Sequence, residues 1–345
     1  MHPRDPIGPT PGEPVAGLDT PHLLVDLDAV DANLRVMFAG GRRYGVDVRV
    51  HFKSLKCTGL ARYVAAAGAD GFACAKLNEA EALADAGLTD VLLANQAVGP
   101  LKTRRAARLA ARANLIVCAD DPDNVRELAG AARGAGSTVG VLVEVDIGMN
   151  RCGVPAGPAV VELARLVASL PGLRFRGLQG YDGHLQMLPD AAERRAKSLA
   201  GCEQLVAARR LVASVPGVTE IQPGSFVVMD AAYHQVRPEF ACALSVRAGV
   251  VSRRPGAYVL DAGTKAISRD FGTPAVKARP GDRVVRTNEE HTIVEAAEPG
   301  PRPGEAVEVW PAHCCATVNL HRTLVAVRGG RVEAVWPIEC SGRYD

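Results

Sequence analysis

Between about residues 22 and 225 the chain alternates short β-like runs with helical ones, which restricts it to a parallel β/α architecture. VRVHFK from residue 48, DGFACA from 70, DVLLAN from 90, NLIVCA from 114, VGVLVEVDIG from 139 and FRGLQGYDGH from 175 read as strands. Between them lie helical patterns such as GLARYVAAAG, LNEAEALADAG, DDPDNVRELAGAARGAG and AVVELARLVASL. The number of units points to a (β/α)8-type barrel rather than an open sheet. The count then falls short. Those six strands are followed by a long helical stretch and one further strand near residues 218–222, so one strand and its loop are missing.

From about residue 240 the texture changes to short alternating strands split by Gly/Pro turns, with RGGR a hairpin signal. This reads as an antiparallel β domain. The expected division is a loose leader and start of the β domain over 1–20, the barrel over 21–235 and the β domain over 236–345.

Lys+Arg 40 against Asp+Glu 38 is nearly balanced and gives no reason to expect a nucleic-acid partner. No apolar run is long enough to span a bilayer, and the opening MHPRDPIGPTPGEP lacks the apolar core of a signal peptide. Nine cysteines, an odd number scattered through apolar segments, suit a reducing cytoplasm rather than a disulfide framework.

In a β/α barrel the chemistry sits at the carboxyl ends of the strands. Lys53, Asn95 and Gln96, Asp146 to Arg151, Gln179, Tyr181, His184, Gln222, Gly224 and Ser225 all fall there. Each alone is a common strand-end polar residue; together they mark a site. A lysine in a partly dry mouth offers an amine for a Schiff base, and Arg151 a fixed positive charge. His184 can stack on a ring or move protons. In WPAHCCATVNLH, His313 and Cys315 alternate in an expected strand, so both face one side and can share a metal ion. By itself that spacing is more often a buried cysteine beside a satisfied histidine. His321 is a lesser ligand candidate. NEEHT reads as a solvated turn, and Lys265 and Asp270 as an ion pair at a turn.

Taken in order, TPHLLVDLDAVDANL, HFKSLK, CAKLNEAEALADAG, LLANQAVGP, VDIGMNRCGV, GLQGYDGHLQ, QPGSFVVMDAAY, VLDAGTKAIS, EEH and AHCCATVNLH resemble the D-serine dehydratase and D-threonine aldolase family. The resemblance covers nearly the whole chain. It implies a pyridoxal 5'-phosphate enzyme of the alanine-racemase fold, a homodimer acting on a small D-amino acid. It places the covalent cofactor link on Lys53, sets Arg151 against the cofactor's phenolic oxygen, and lines the ring with Tyr181 and His184. It makes His313 and Cys315 the divalent-metal pair, with zinc favoured and manganese or magnesium possible. Family dehydratases commonly pair histidine with cysteine, and aldolases often pair it with aspartate. The pair here therefore leans toward loss of water from a D-β-hydroxy amino acid. Retro-aldol cleavage is the alternative, followed by a non-catalytic member or a metal enzyme without the cofactor.

Two departures stand out. The family's reactive lysine is usually followed by Thr-His-Lys, here by Ser54, Leu55 and Lys56. The family's Gly-Gly-Gly-Thr phosphate loop is not found in VASVPGVTEIQPGS, which leaves Gln222, Gly224, Ser225 and nearby backbone as donors.

Overall fold

The computed structural model describes residues 8–212, 217–296 and 299–345. They form two compact units.

The first unit holds residues 40–53, 68–223 and 343–345 and is built on a parallel sheet. β1 (His22–Asp26) lies outside it, whereas β2 (Asp47–His51), β3 (Gly71–Cys74), β4 (Asp90–Gln96), β5 (Asn114–Ala119), β6 (Val139–Asp146), β7 (Val154–Pro155), β8 (Leu173–Gly180) and β9 (Glu220–Ile221) belong to it. The sheet runs β8-β6-β5-β4-β3-β2-β9, with the two-residue β7 also on β6. Every pairing is parallel. Among the described residues β8 and β9 do not pair, so the barrel stays open where the sequence lacks a strand. Residues 213–216, part of the stretch without the glycine-rich loop, lie outside the described residues.

Helices cover the strands, and β3 and β6 are accordingly buried along almost their whole length. Ala73, Leu92, Ile116, Cys118 and Leu142, one or two from each of four strands, form one buried cluster. The helix starts follow from sequence. α4 (Pro100–Ala110), α5 (Pro122–Gly134) and α6 (Pro158–Ser169) each open with proline, whose missing N–H costs nothing there. Asp121 caps α5 by accepting from the N–H groups of Asp123 and Asn124.

β2 departs from the half-buried strand that its alternation suggests. Arg49 is only 6% exposed. Its Nε lies 3.1 Å from both carboxylate oxygens of Glu220 on β9, and NH1 lies 3.2 Å from Asp90 Oδ1 on β4. Glycine at position 71 on the intervening β3 leaves room for this guanidinium, since a Cβ there would sit 2.5 Å from the same NH1 and displace it. A charged residue is thus an internal clamp, which alternation alone cannot signal.

The second unit comprises residues 1–39, 54–67 and 224–342 and is built on a nine-stranded sheet. Its strands are β1, β10 (Leu244–Arg254), β11 (Ala257–Leu260), β12 (Ala275–Val276), β13 (Arg283–Thr287), β14 (Thr292–Glu295), β15 (Ala306–Trp310), β16 (Thr323–Arg328) and β17 (Arg331–Pro337). The β1-β16 pair is parallel and the others antiparallel. β1 was expected to begin the barrel, yet it lies between β10 and β16 here. RGGR makes the expected hairpin: Gly329 and Gly330 have φ of +54° and +73°, the left-handed pair that a two-residue turn demands.

The leader is less loose than its composition implies. Val15 and Leu18 join a buried cluster with Leu24, Val325 and Val332, and Val15 N–H donates to the Gly330 carbonyl. Residues 1–7 lie outside the described residues.

Candidate active site

Within the parallel-sheet unit, β2 ends at His51 and a tight turn over Phe52–Ser54 carries Lys53. The Lys53 Nζ lies 5.8 Å from the centre of the Tyr181 ring, and the Arg151 guanidinium carbon lies 4.9 Å from the same ring. Two cations thus approach one aromatic ring at the carboxyl ends of β2, β6 and β8. The Tyr181 hydroxyl accepts from Gln186 Nε2 at 2.9 Å. Gly183 is required beside it, because a Cβ there would fall 2.2 Å from ring carbons of Tyr181.

The loop that presents Arg151 is shaped by Asp146, whose Oδ1 accepts from the N–H groups of Gly148 and Asn150, both at 3.0 Å. Those bonds hold the Asp146 carboxyl below its usual range. The His184 ring packs over Gly148, 3.5 Å from where a Cβ would stand. Gln179 is buried, and Gln222 Nε2 donates to its Oε1 at 3.1 Å.

Sequence reasoning missed the acids beneath this group. Glu144 on β6 is buried; Gln96 Nε2 donates to it at 2.6 Å and to Asp120 at 3.2 Å. Burial raises the Glu144 carboxyl above its usual range. Its other oxygen lies 4.0 Å from Arg151. Asp120 also accepts from Gly153 N–H at 2.8 Å, just after the arginine. The signal was present: Glu144 is a lone acid inside the apolar run VGVLVEVD.

The second group lies wholly within the nine-stranded unit. His313 and Cys315 were expected to alternate along a strand, and that expectation fails. His313 is the extended residue capping a short helix, α9 (Cys314–Val318), and Cys315 lies in its first turn. Asp230, buried, caps the preceding helix α8 (Ala231–Val236) and also accepts from Cys314 N–H at 2.8 Å, so the helix starts where the pair needs it. Chain geometry differs from the expectation, but the two side chains still interact.

Burial opposes a charge on His313, yet the Cys315 thiolate and Asp270 raise its pKa to about 9. Cys315 is held well below the ordinary thiol range by its contact with Cys314, against burial, and by His313. Ser54 Oγ lies 3.1 Å and Ser225 Oγ 3.7 Å from the Cys315 sulfur. Ser225 opens a short turn over Ser225–Val227, with Gly224 just before it.

Other expectations resolve differently. Lys265 pairs with Glu290, not with Asp270, which instead contacts His313. Asn288 to His291 of NEEHT form an exposed turn in which Asn288 N–H donates to the His291 carbonyl, while Thr292 is buried and begins β14. His321 is committed to the Ala266 carbonyl at 2.8 Å.

The donor sets suit the two implied groups. A pair of cations around one aromatic ring matches an anionic, planar pyridoxal phosphate, and an imidazole beside a thiol of lowered pKa matches a divalent metal with open positions. Among the described residues no three His, Cys, Asp or Glu side chains converge as a fuller metal cluster.

The model of the alanine racemase N-terminal domain matches residues 25–238, and that of a putative serine dehydratase domain matches residues 243–327. The chain is 37% identical to a D-threonine aldolase of an Arthrobacter species, over 96% of this chain and 95% of that one. The crystal structure of D-threonine aldolase from Filomicrobium marinum superposes with a TM-score of 0.92 at 38% identity, covering 96% of this chain and 98% of that one. A cysteine-to-alanine mutant of D-threo-3-hydroxyaspartate dehydratase in the metal-free form superposes at 0.81 with 26% identity, covering 94% and 98%.

Proposed function

The chain belongs to the family defined by the alanine racemase N-terminal domain and the putative serine dehydratase domain, and from that premise we propose that it is a pyridoxal-phosphate- and metal-dependent lyase acting on D-β-hydroxy amino acids. The observation that carries the reading is the Lys53 amine and the Arg151 guanidinium against the one Tyr181 ring.

Lys53 would hold the cofactor covalently, Arg151 would neutralise its phenolic oxygen, and His184, Gln179 and Gln222 would line it. When bound, pyridoxal phosphate supplies an electron sink for the pair left at the substrate's Cα. The released Lys53 Nζ takes the proton from Cα. His313 and Cys315 would hold a divalent metal, zinc favoured, whose positive charge assists the substrate's β-hydroxyl.

In the first reading the Cα–H and Cβ–O bonds break and water leaves; a water then adds to the resulting imine carbon as ammonia leaves, giving the 2-oxo acid, and the His313–Cys315 pair supports it. In the second a base takes the hydroxyl proton and Cα–Cβ breaks; the 37–38% identity to D-threonine aldolases favours it. Incubation with D-threonine separates them, as 2-oxobutanoate for the first and glycine with acetaldehyde for the second. With added pyridoxal phosphate the wild-type protein is expected to gain visible absorbance, and Lys53→Ala none. A colourless wild type that yields neither product would overturn the proposal.

A further inference from the structure

The His313 imidazole is gripped on two sides by consecutive residues of one turn. Asp270 Oδ2 lies 2.5 Å from its Nδ1, and Ser268 Oγ lies 2.5 Å from the carboxylate's other oxygen. The Phe271 ring lies flat on the imidazole, with centres 3.9 Å apart and planes 4° from parallel. Tyr233 meets both rings edge-on, at 6.1 Å and 5.6 Å. The turn is tied to the ligand helix itself, because Ser268 N–H donates to Thr317 Oγ1 at 3.1 Å.

A histidine that donates Nδ1–H to a carboxylate is fixed in one tautomer, with the Nε2 lone pair free to bind a metal. The carboxylate also makes that nitrogen more basic. We infer that Asp270 is the positioning residue of the metal site: it selects the Nε2-binding form of His313 and, with Phe271, fixes the ring plane. This rests on the metal reading of His313 and Cys315. It does not make Asp270 a ligand, in line with the lack of a three-residue cluster among the described residues.

The test titrates the full-length protein with cobalt(II) against a competing chelator and records the thiolate-to-cobalt absorption band. Asp270→Asn should bind about 10–100-fold more weakly with the saturated band unchanged, since outer partners of ligating histidines weigh that much. Asp270→Glu should recover part of the loss. Ser268→Ala removes only the bond behind the carboxylate and should show a smaller loss. It keeps the idea testable should Asp270→Asn fail to fold. Unaltered affinity in both variants would overturn the inference, as would a shifted saturated band, which would make Asp270 a ligand. If the wild type takes up no cobalt, the metal reading itself fails and this inference goes with it.

Discussion

Cys315 is the residue on which the choice of chemistry turns. Its thiol pKa is held well below the ordinary range by Cys314 in its own helix turn and by His313. Cys315→Ala would leave the proposed metal pair with His313 alone and should reduce tightly bound metal to near zero, read by elemental analysis after dialysis. Lysine–tyrosine–arginine convergence was legible because all three residues sit at strand ends in distinctive motifs. The His313 environment was not. Asp270 lies 43 residues away, and a turn that distant declares its partner only once folded. Asp270 was instead given to Lys265, a pairing by proximity in sequence that loses to Glu290, 25 residues further on. The strand proposed for His313 fails for a reason 84 residues away: Asp230 accepts Cys314 N–H where the helix starts, whereas alternation counts only local polarity.

Among the elements, β9 shows how little backbone holds an end strand in place. It pairs with β2 over two residues, and the Arg49–Glu220 contact supports it. Arg49→Ala strands two carboxylates, one of them half exposed. It should cost about 2–3 kcal/mol, the low end for breaking a buried pair, seen as a lower melting temperature. A pH effect belongs to the nine-stranded unit. Burial lowers the pKa of both His321 and His22, so the unfolded chain takes up these protons at higher pH than the folded one. Stability should therefore fall as pH drops through about 6.5. His321→Gln, which keeps a donor for Ala266, should flatten that fall in a series of melts. Helix starts were readable from Pro and Asp in the sequence, whereas β1 was misplaced. An apolar strand carries no mark of the sheet it will join, because partner choice is set by contacts far along the chain.

For the molecule as a whole, the order of strands and helices and the shift to hairpins near residue 240 were legible, since periodicity and turn residues encode them locally. Among the described residues no cysteine is in a disulfide. A reductant should leave the melting temperature unchanged within error, as no disulfide constrains the unfolded chain. The missing strand was visible as a shortfall in the count. What that shortfall does to the sheet was not.

A ring of strands that closes has no margin, but this one has two, at β8 and β9. Along β8, backbone amides directed toward β6 are locked in the ladder, and every second one looks the other way. Deuterium should enter those outward amides far sooner than their neighbours, printing a two-residue rhythm on β8 that β4 and β5, flanked on both sides, would not show.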